Sequence, residues 1–257
     1  MYQAIVHFSY HNFEQDPVTA ISQILNQWLY NGQVIGREMP ITFHQNEFQA
    51  RVCVPTQESL LPQYNSDEVN EALQQAVEIG VIFASFELVG RDYQGEESSH
   101  NRSPAFQILY TTHLDTCSPL YDGEQFAPIP LYSLQDQSLS EAILEWQQNW
   151  QACDLLQMNG NLLECHALVQ ISDETSDLAM IGRDLCQQIE QKTHIPTFYY
   201  LYRLGRDESE YQRKCPCCGG EWKLTEPLHD IFHFRCEPCR LISNLSWELL
   251  YQSNKSS

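Results

Sequence analysis

Residues 2–9 alternate apolar and polar side chains, the period of a half-buried strand. Asp16-Pro17 then reads as an N-cap followed by the proline that a helix accepts in its first turn. Behind it Val18, Ile21, Ile24, Leu25, Trp28 and Leu29 recur at helical spacing, and Asn31-Gly32 can stop the helix after Tyr30. Two strands are predicted next, one over part of residues 34–43 and one over 48–54, joined by the polar turn His44-Gln45-Asn46-Glu47. Ser66 opens a second helix that runs through Val69, Leu73, Ala76 and Val77 to Gly80, and residues 81–89 make an apolar-rich strand. The resulting order, β-α-β-β-α-β, is the split βαβ or ferredoxin-like pattern, whose two crossovers lay both helices on one sheet face.

Residues 91–104 are polar and turn-rich and read as a loop, after which residues 105–112 look like a strand. A Pro- and Gly-containing stretch, 115–130, leads to a helix over about 138–158 with Leu139, Ile143, Trp146, Trp150 and Cys153 on one face. Another helix is expected over 175–192, and Pro196 introduces a strand over 197–204 loaded with Phe198, Tyr199, Tyr200 and Tyr202. No repeat of solenoid period occurs. The polar run Gly205-Arg206-Asp207-Glu208-Ser209-Glu210 reads as a linker. The expected fold is therefore α+β in three parts: a ferredoxin-like unit at 1–90, a second α/β unit at 105–204 packed with the first, and a small C-terminal module at 213–250.

Charge changes this picture more than composition does. The 257 residues contain 14 Lys and Arg against 34 Asp and Glu, a formal charge of −20. Before Tyr199 there are 6 basic and 26 acidic residues; from Tyr199 onward there are 8 of each. All of the acidity thus lies upstream, which disfavours nucleic-acid binding through the bulk surface but leaves the last quarter locally neutral. Apolar residues at 42% and charged residues at 19% are globular composition, although 26 residues are glutamine. No basic residue precedes Arg37 and no apolar h-region follows the start, so a secretory signal is not expected. The most apolar run, residues 81–88, is interrupted by Ser85 and Glu87 and is too short to span a bilayer. The expectation is a soluble cytoplasmic protein with no membrane partner, in a compartment where thiols stay reduced.

Ten cysteines in such a compartment call for metal or core packing before disulfides. Cys53, Cys117, Cys153, Cys165 and Cys186 are scattered singly, and Cys53, Cys153 and Cys186 sit among apolar neighbours as small hydrophobes. The other five are clustered. Cys215-Pro216-Cys217-Cys218-Gly219-Gly220 and Cys236-Glu237-Pro238-Cys239 provide two C-x-x-C pairs with 17 residues between them. Two intervening residues let a tight turn aim both sulfurs at one ion, and a hairpin between the pairs brings the second turn opposite the first. Gly219 and Gly220 suit a turn that needs positive φ. Cys215, Cys218, Cys236 and Cys239 are therefore the expected ligands of one structural Zn²⁺, since four soft thiolates leave no open coordination position. Cys217 is a bystander, and His229 and His233 read as hairpin side chains. The hairpin strands are expected around Trp222-Lys223-Leu224 and over 231–234, with a third strand over 241–247, a zinc-ribbon arrangement.

The strings Cys215-Pro-Cys-Cys-Gly-Gly-Glu-Trp222 and Cys239-Arg-Leu-Ile-Ser-Asn-Leu-Ser-Trp247, together with residues 146–158 and 196–203, resemble an uncharacterised bacterial family. That family is described as zinc-ribbon-containing, with nucleic-acid binding suggested for it. The resemblance implies zinc on Cys215, Cys218, Cys236 and Cys239 and some association with nucleic acid. The segment 118–126 has a knuckle-like turn with Gly123 but no cysteine pair, and Asp122 and Glu124 read there as an ordinary polar loop.

Three functional classes follow. Direct nucleic-acid contact would use Arg213, Lys214, Lys223, Arg235 and Arg240, with Trp222 and Phe234 for stacking. Against it stand local neutrality, the residual −2 of four thiolates on one Zn²⁺, and the alternative that Trp222 and Trp247 fill a small core. A protein-binding module is the favoured reading: an acidic α/β body that docks on a basic protein or nucleoprotein, an inhibitor or immunity-type protein being one form of it. An enzyme is disfavoured, since the chain has no P-loop, nucleophile elbow, HExxH helix or dinucleotide fingerprint. The clusters at 112–117 and Cys165-His166 carry catalytic residue types without a triad's spacing. No catalytic residue is expected.

Overall fold

The computed structural model describes residues 1–11, 15–36, 38–205, 208–246 and 249. In chain order its elements are β1 (Tyr2–Tyr10), α1 (Pro17–Tyr30), β2 (Ile41–His44), β3 (Glu47–Val54), α2 (Asp67–Glu78) and β4 (Val81–Arg91). They continue with β5 (Gln107–Leu109), β6 (Leu120–Asp122), β7 (Ala127–Pro128), α3 (Gln137–Asn159), α4 (Glu164–Ser172) and α5 (Asp177–Thr193). The last four are β8 (Thr197–Leu201), β9 (Lys223–Leu228), β10 (Phe232–Cys236) and β11 (Leu241–Asn244). Two compact units are present: Met1–Arg102 with Thr116–Tyr121 and Ala127–Leu144, and Ser103–Asp115 with Asp122–Phe126 and the described part of Glu145–Ser257.

In the first unit the strand order is β2-β3-β1-β4, with every neighbouring pair antiparallel. The alternation of β1 puts Ala4, Val6, Phe8 and Tyr10 on the buried face, beside Ala50 and Val52 of β3. Ile21, Ile24, Leu25 and Trp28 of α1 and Val69, Ala72 and Ala76 of α2 join the same core. Both helices begin where a capping side chain allows. Asp16 accepts from the Val18 N–H at 3.0 Å, and Ser66 Oγ accepts from the Val69 N–H at 3.1 Å. Gln45 and Asn46 both adopt positive φ, 49° and 67°, the geometry of a two-residue hairpin loop, so β2 and β3 meet at His44 and Glu47. The strand expected over part of residues 34–43 occupies only the end of that span. Ile35 makes one isolated bridge to Cys53, and the ladder resumes only at Ile41, because Gly36 turns at φ +83° and Pro40 has no N–H to donate. Within the stretch expected to be loop, β6 and β7 form a minimal ladder in which the Ile129 N–H donates to Leu120 O at 2.6 Å.

The second unit is built around β8. Its strands run β5-β8-β11-β10-β9, with β5 and β11 parallel to β8 and the last two pairs antiparallel. All five residues of β8 are buried, which is why Thr-Phe-Tyr-Tyr-Leu reads as a continuous rather than an alternating pattern. Trp146 and Trp150 of α3 lie 6.0 and 6.1 Å from the rings of Tyr199 and Tyr200. Leu178, Leu185, Cys186 and Ile189 of α5 are buried alongside. Helix α4 was not anticipated. It starts from Leu163 at φ 65° with no side-chain cap, so the usual opening signal is missing. β5 is also shorter than expected: beyond Leu109 the chain turns, the Asp115 N–H donating to Thr112 O at 3.1 Å. The segment read as a linker holds a 3-10 turn, Glu208–Gln212, with Glu210 only 3% exposed; Arg206 and Asp207 lie outside the described residues.

Helix α5 passes close to β8 at Gly182, where an added Cβ would sit 2.3 Å from Tyr199 Cε2 and 2.7 Å from Trp146 Nε1. Both neighbours are buried rings that cannot withdraw. Gly182→Ala is expected to destabilise the second unit by about 1–3 kcal/mol despite the better helix propensity of alanine, read as a lower midpoint in urea.

Candidate metal centre

The sulfurs of Cys215, Cys218, Cys236 and Cys239 all lie within 4.8 Å of one another. Two turns place them. In the first, the Gly219 N–H donates to Cys215 O at 2.8 Å and the Cys215 N–H donates to Gly220 O at 2.9 Å, closing the loop on itself. Gly219 stands four residues after Cys215 and takes φ +70°. The second turn repeats this with a different residue: Arg240, four after Cys236, takes φ +51°. An L-residue is disfavoured there by about 1–2 kcal/mol. Arg240 is held by Glu190 of α5 through a bidentate pair at 2.9 and 3.0 Å, by Glu237 O at 2.8 Å, and through its own carbonyl, which accepts from the Tyr199 N–H at 2.8 Å.

The chemistry of the four sulfurs fits a metal ion such as zinc. A tetrahedral ion with metal–sulfur bonds of about 2.3 Å separates its sulfurs by about 3.8 Å, and Cys218 Sγ and Cys236 Sγ are 3.7 Å apart. A disulfide would need about 2.05 Å, and every described cysteine is free. The Gly220 amide and then the Cys239 thiol stabilise the thiolate of Cys218 and bring it down to about 7, whereas burial first of all pushes Cys236 up to about 11 and raises Cys239 as well. One thiolate is thus favoured while further negative charge beside it is resisted, the electrostatic situation that a divalent cation relieves.

Cys217 is exposed and does not belong to the converging set. His229 and His233 do not belong to it either. His229 stacks on Phe126 at 5.0 Å and bonds to Gly123 O, and His233 Nδ1 accepts from the Leu245 N–H at 3.2 Å. Asp122 caps its own turn by accepting from the Glu124 and Gln125 N–H groups, and Glu124 accepts from the Ala105 N–H.

The five cations singled out in the sequence are not gathered on one outer face. Arg213 lies over both Trp222 and Phe234, 4.8 and 4.6 Å from the ring centroids, pairs with Glu210 at 3.1 Å, and donates to Ser243 Oγ and Asn244 O. Burial lowers it to about 10. Arg235 lies over Phe106 and Phe198 at 4.0 and 4.4 Å and pairs with Glu237 at 2.7 Å. Arg240 is taken up by Glu190 as described. Lys214 pairs with Glu221 in the open, and Lys223 is exposed beside Tyr211. Trp222 and Phe234 are buried against each other, and the Trp222 indole N–H donates to Arg213 O at 2.8 Å. Trp247 lies outside the described residues.

The catalytic residue types at 112–117 include one ordered pair, His113 Nδ1 to Asp154 at 2.9 Å, and Asp154 also accepts from the His113 N–H and from Gln157. The parallel pairing of β11 with β8 was invisible in the sequence: Leu241 sits opposite Tyr199 and Ile242 opposite Tyr200. The cysteine hairpin is therefore the connection between two parallel strands of one sheet.

Arg213→Ala should act on folding. It leaves Glu210 with one fewer partner in a buried setting and removes the cover from two rings, a loss of roughly 3 kcal/mol, measurable as early melting of the β9–β11 region in amide exchange.

Residues 101–202 match the family described as domain of unknown function (DUF2310), residues 1–90 match DUF8589 and residues 205–249 match DUF8594, both also described as domains of unknown function. A Haemophilus influenzae protein named "Uncharacterized protein" is 52% identical over 238 residues, covering 90% of this chain and 91% of its own length. A second protein of that name from the same organism is 55% identical over 175 residues, 66% of this chain and 86% of its own. No solved structure matches the chain. At that identity and coverage the chain belongs to the same family as these two Haemophilus influenzae proteins, and it carries the DUF2310 domain in its middle.

Proposed function

We propose that this is a non-enzymatic binding protein whose C-terminal cysteine centre holds one structural Zn²⁺ and whose acidic α/β part docks on a basic protein or nucleoprotein in the cytoplasm. In this reading the first unit is a ferredoxin-like domain, supported by its β-α-β-β-α-β order and its β2-β3-β1-β4 antiparallel sheet. The observation that carries the docking function is the distribution of charge. The excess of 20 acidic residues is all upstream of Tyr199, while Arg213, Arg235 and Arg240 of the cysteine region are taken up by carboxylates and rings. A surface left with acid and little free cation attracts a cationic partner and repels phosphate. Zinc is supported by the all-sulfur donor set, which closes the ion off from substrate. Among the described residues no helix is long and apolar enough to cross a membrane.

Two measurements test this. The intact chain should bind one zinc per molecule, with proton release from the raised thiols of Cys236 and Cys239, so that affinity falls as pH falls. Cys236→Ser should abolish stoichiometric zinc and loosen amide protection at β11 and at its neighbour β8; unchanged zinc content would reject the ligand assignment. Capture of the tagged protein's partner from its own cells should survive nuclease and weaken as salt rises. A partner lost on nuclease treatment would favour direct nucleic-acid binding through Lys214 and Lys223 instead.

A further inference from the structure

Large apolar side chains are unusually exposed at one corner of the second unit. Leu155 and Met158, one turn apart at the end of α3, are 49% and 60% exposed. Leu162 and Leu163, in the connection to α4, are 81% and 61% exposed. Leu163 is displayed from the left-handed backbone region, φ 65°, which an L-leucine rarely adopts. A fifth side chain is brought to the same place. Asp154 holds both the backbone N–H and the imidazole of His113, which ties the loop carrying Leu114, itself 77% exposed, to the end of α3. Scattered exposed leucines are ordinary, but four large apolar side chains exposed within residues 155–163, with the loop of a fifth tied to the same helix end, are a concentration of the kind that marks an interaction site.

The charge around the patch selects its occupant. Along the sequence next to these side chains, residues 146–170 carry no Lys or Arg and only Asp154 and Glu164 as acids, and residues 103–115 likewise hold no Lys or Arg. An anionic bilayer or a second copy of this acidic chain would meet repulsion there. A helix with apolar residues on one face and lysine or arginine on the other would place its leucines against these side chains and its cations in a setting that offers Glu164 and no competing cation. Flexible Met158 can adapt to such a ridge.

We propose that the corner formed by the end of α3, residues 159–163 and the loop at Leu114 docks a cationic amphipathic helix of a partner protein. This rests on the reading of the acidic part as a docking surface for a basic partner, and names where the contact is made. The probe is a labelled peptide of about 18 residues, or five turns, with leucine at i, i+3, i+4 and i+7 and lysine elsewhere, titrated with the zinc-loaded full chain at physiological salt. Binding is expected for this peptide, and not for a scrambled peptide of identical composition or for one with glutamate in place of lysine. The double variant Met158→Asp with Leu162→Asp should lose about tenfold or more in affinity. Those substitutions add negative charge, so attraction by charge alone would rise. Val89→Asp, an exposed position in the first unit, should leave affinity unchanged. Should the double variant fold poorly, amide exchange on the wild-type chain reads the same point, as new protection at 154–164 when peptide is added.

Unchanged affinity in the double variant, equal binding of the scrambled peptide, binding to anionic vesicles at the same corner, or self-association that the double variant disperses would each overturn the proposal. A cellular basic partner that the double variant still captures would overturn this surface while leaving the docking function intact; nuclease-sensitive capture would overturn the docking function itself.

Discussion

The convergence of four cysteine sulfurs constrains the second unit more than any other contact. It closes a loop that leaves β8, runs out through β9 and β10, and returns as β11 parallel to β8. Parallel neighbours need a long crossover, normally a helix packed on the sheet. Here the crossover is a cysteine hairpin with little apolar material beyond Trp222, Phe232 and Phe234. A metal ion on the four sulfurs would supply the rigidity that a helix supplies elsewhere, and Arg240 carries that rigidity into the sheet. Its guanidinium is fixed on Glu190 of α5 while its carbonyl accepts from β8. The strained backbone at Arg240 persists because both ends of the residue are tied.

The same arrangement explains where the cations go. In an acidic protein a few arginines are internal building material. Arg213 and Arg235 lie over paired aromatic rings and face carboxylates, contacts that a planar, weakly hydrated guanidinium makes better than an ammonium. The two lysines of the region stay outside. Thus three of the arginines counted in the last quarter are matched by carboxylates, Arg213 by Glu210, Arg235 by Glu237 and Arg240 by Glu190, which reduces the free positive charge of the region. This is the physical ground for proposing a cationic protein partner rather than phosphate.

Much of the first unit was legible because its signals are local. Asp16-Pro17 and Ser66 open helices through hydrogen bonds spanning two or three residues, and the alternation from Tyr2 to Tyr10 needs only the pleat. The cysteine set was legible for the same reason: two residues between ligands is a turn, and a turn is local. What escaped was governed by distant partners. Which part of residues 34–43 would pair depended on Gly36 and Pro40, which hold the ladder off until Ile41, and α4 begins at an uncapped Leu163. The five basic residues could be found in the chain, but whether each faced water depended on aromatic residues far away in sequence, such as Phe106 and Phe198 for Arg235.

By itself the sequence determined the order of helices and strands in the first unit, the position of the acid excess and the identity of the four converging thiols, since these rest on periodicity, composition and spacing. Tertiary structure alone decided that the cysteine hairpin is stitched beside β8, that three arginines are held by carboxylates and rings, and that the loop of Leu114 is tied to the end of α3 through His113 and Asp154. Each of those outcomes depends on groups tens of residues apart meeting at hydrogen-bond or van der Waals distance, and no local pattern along the chain encodes which distant group will arrive.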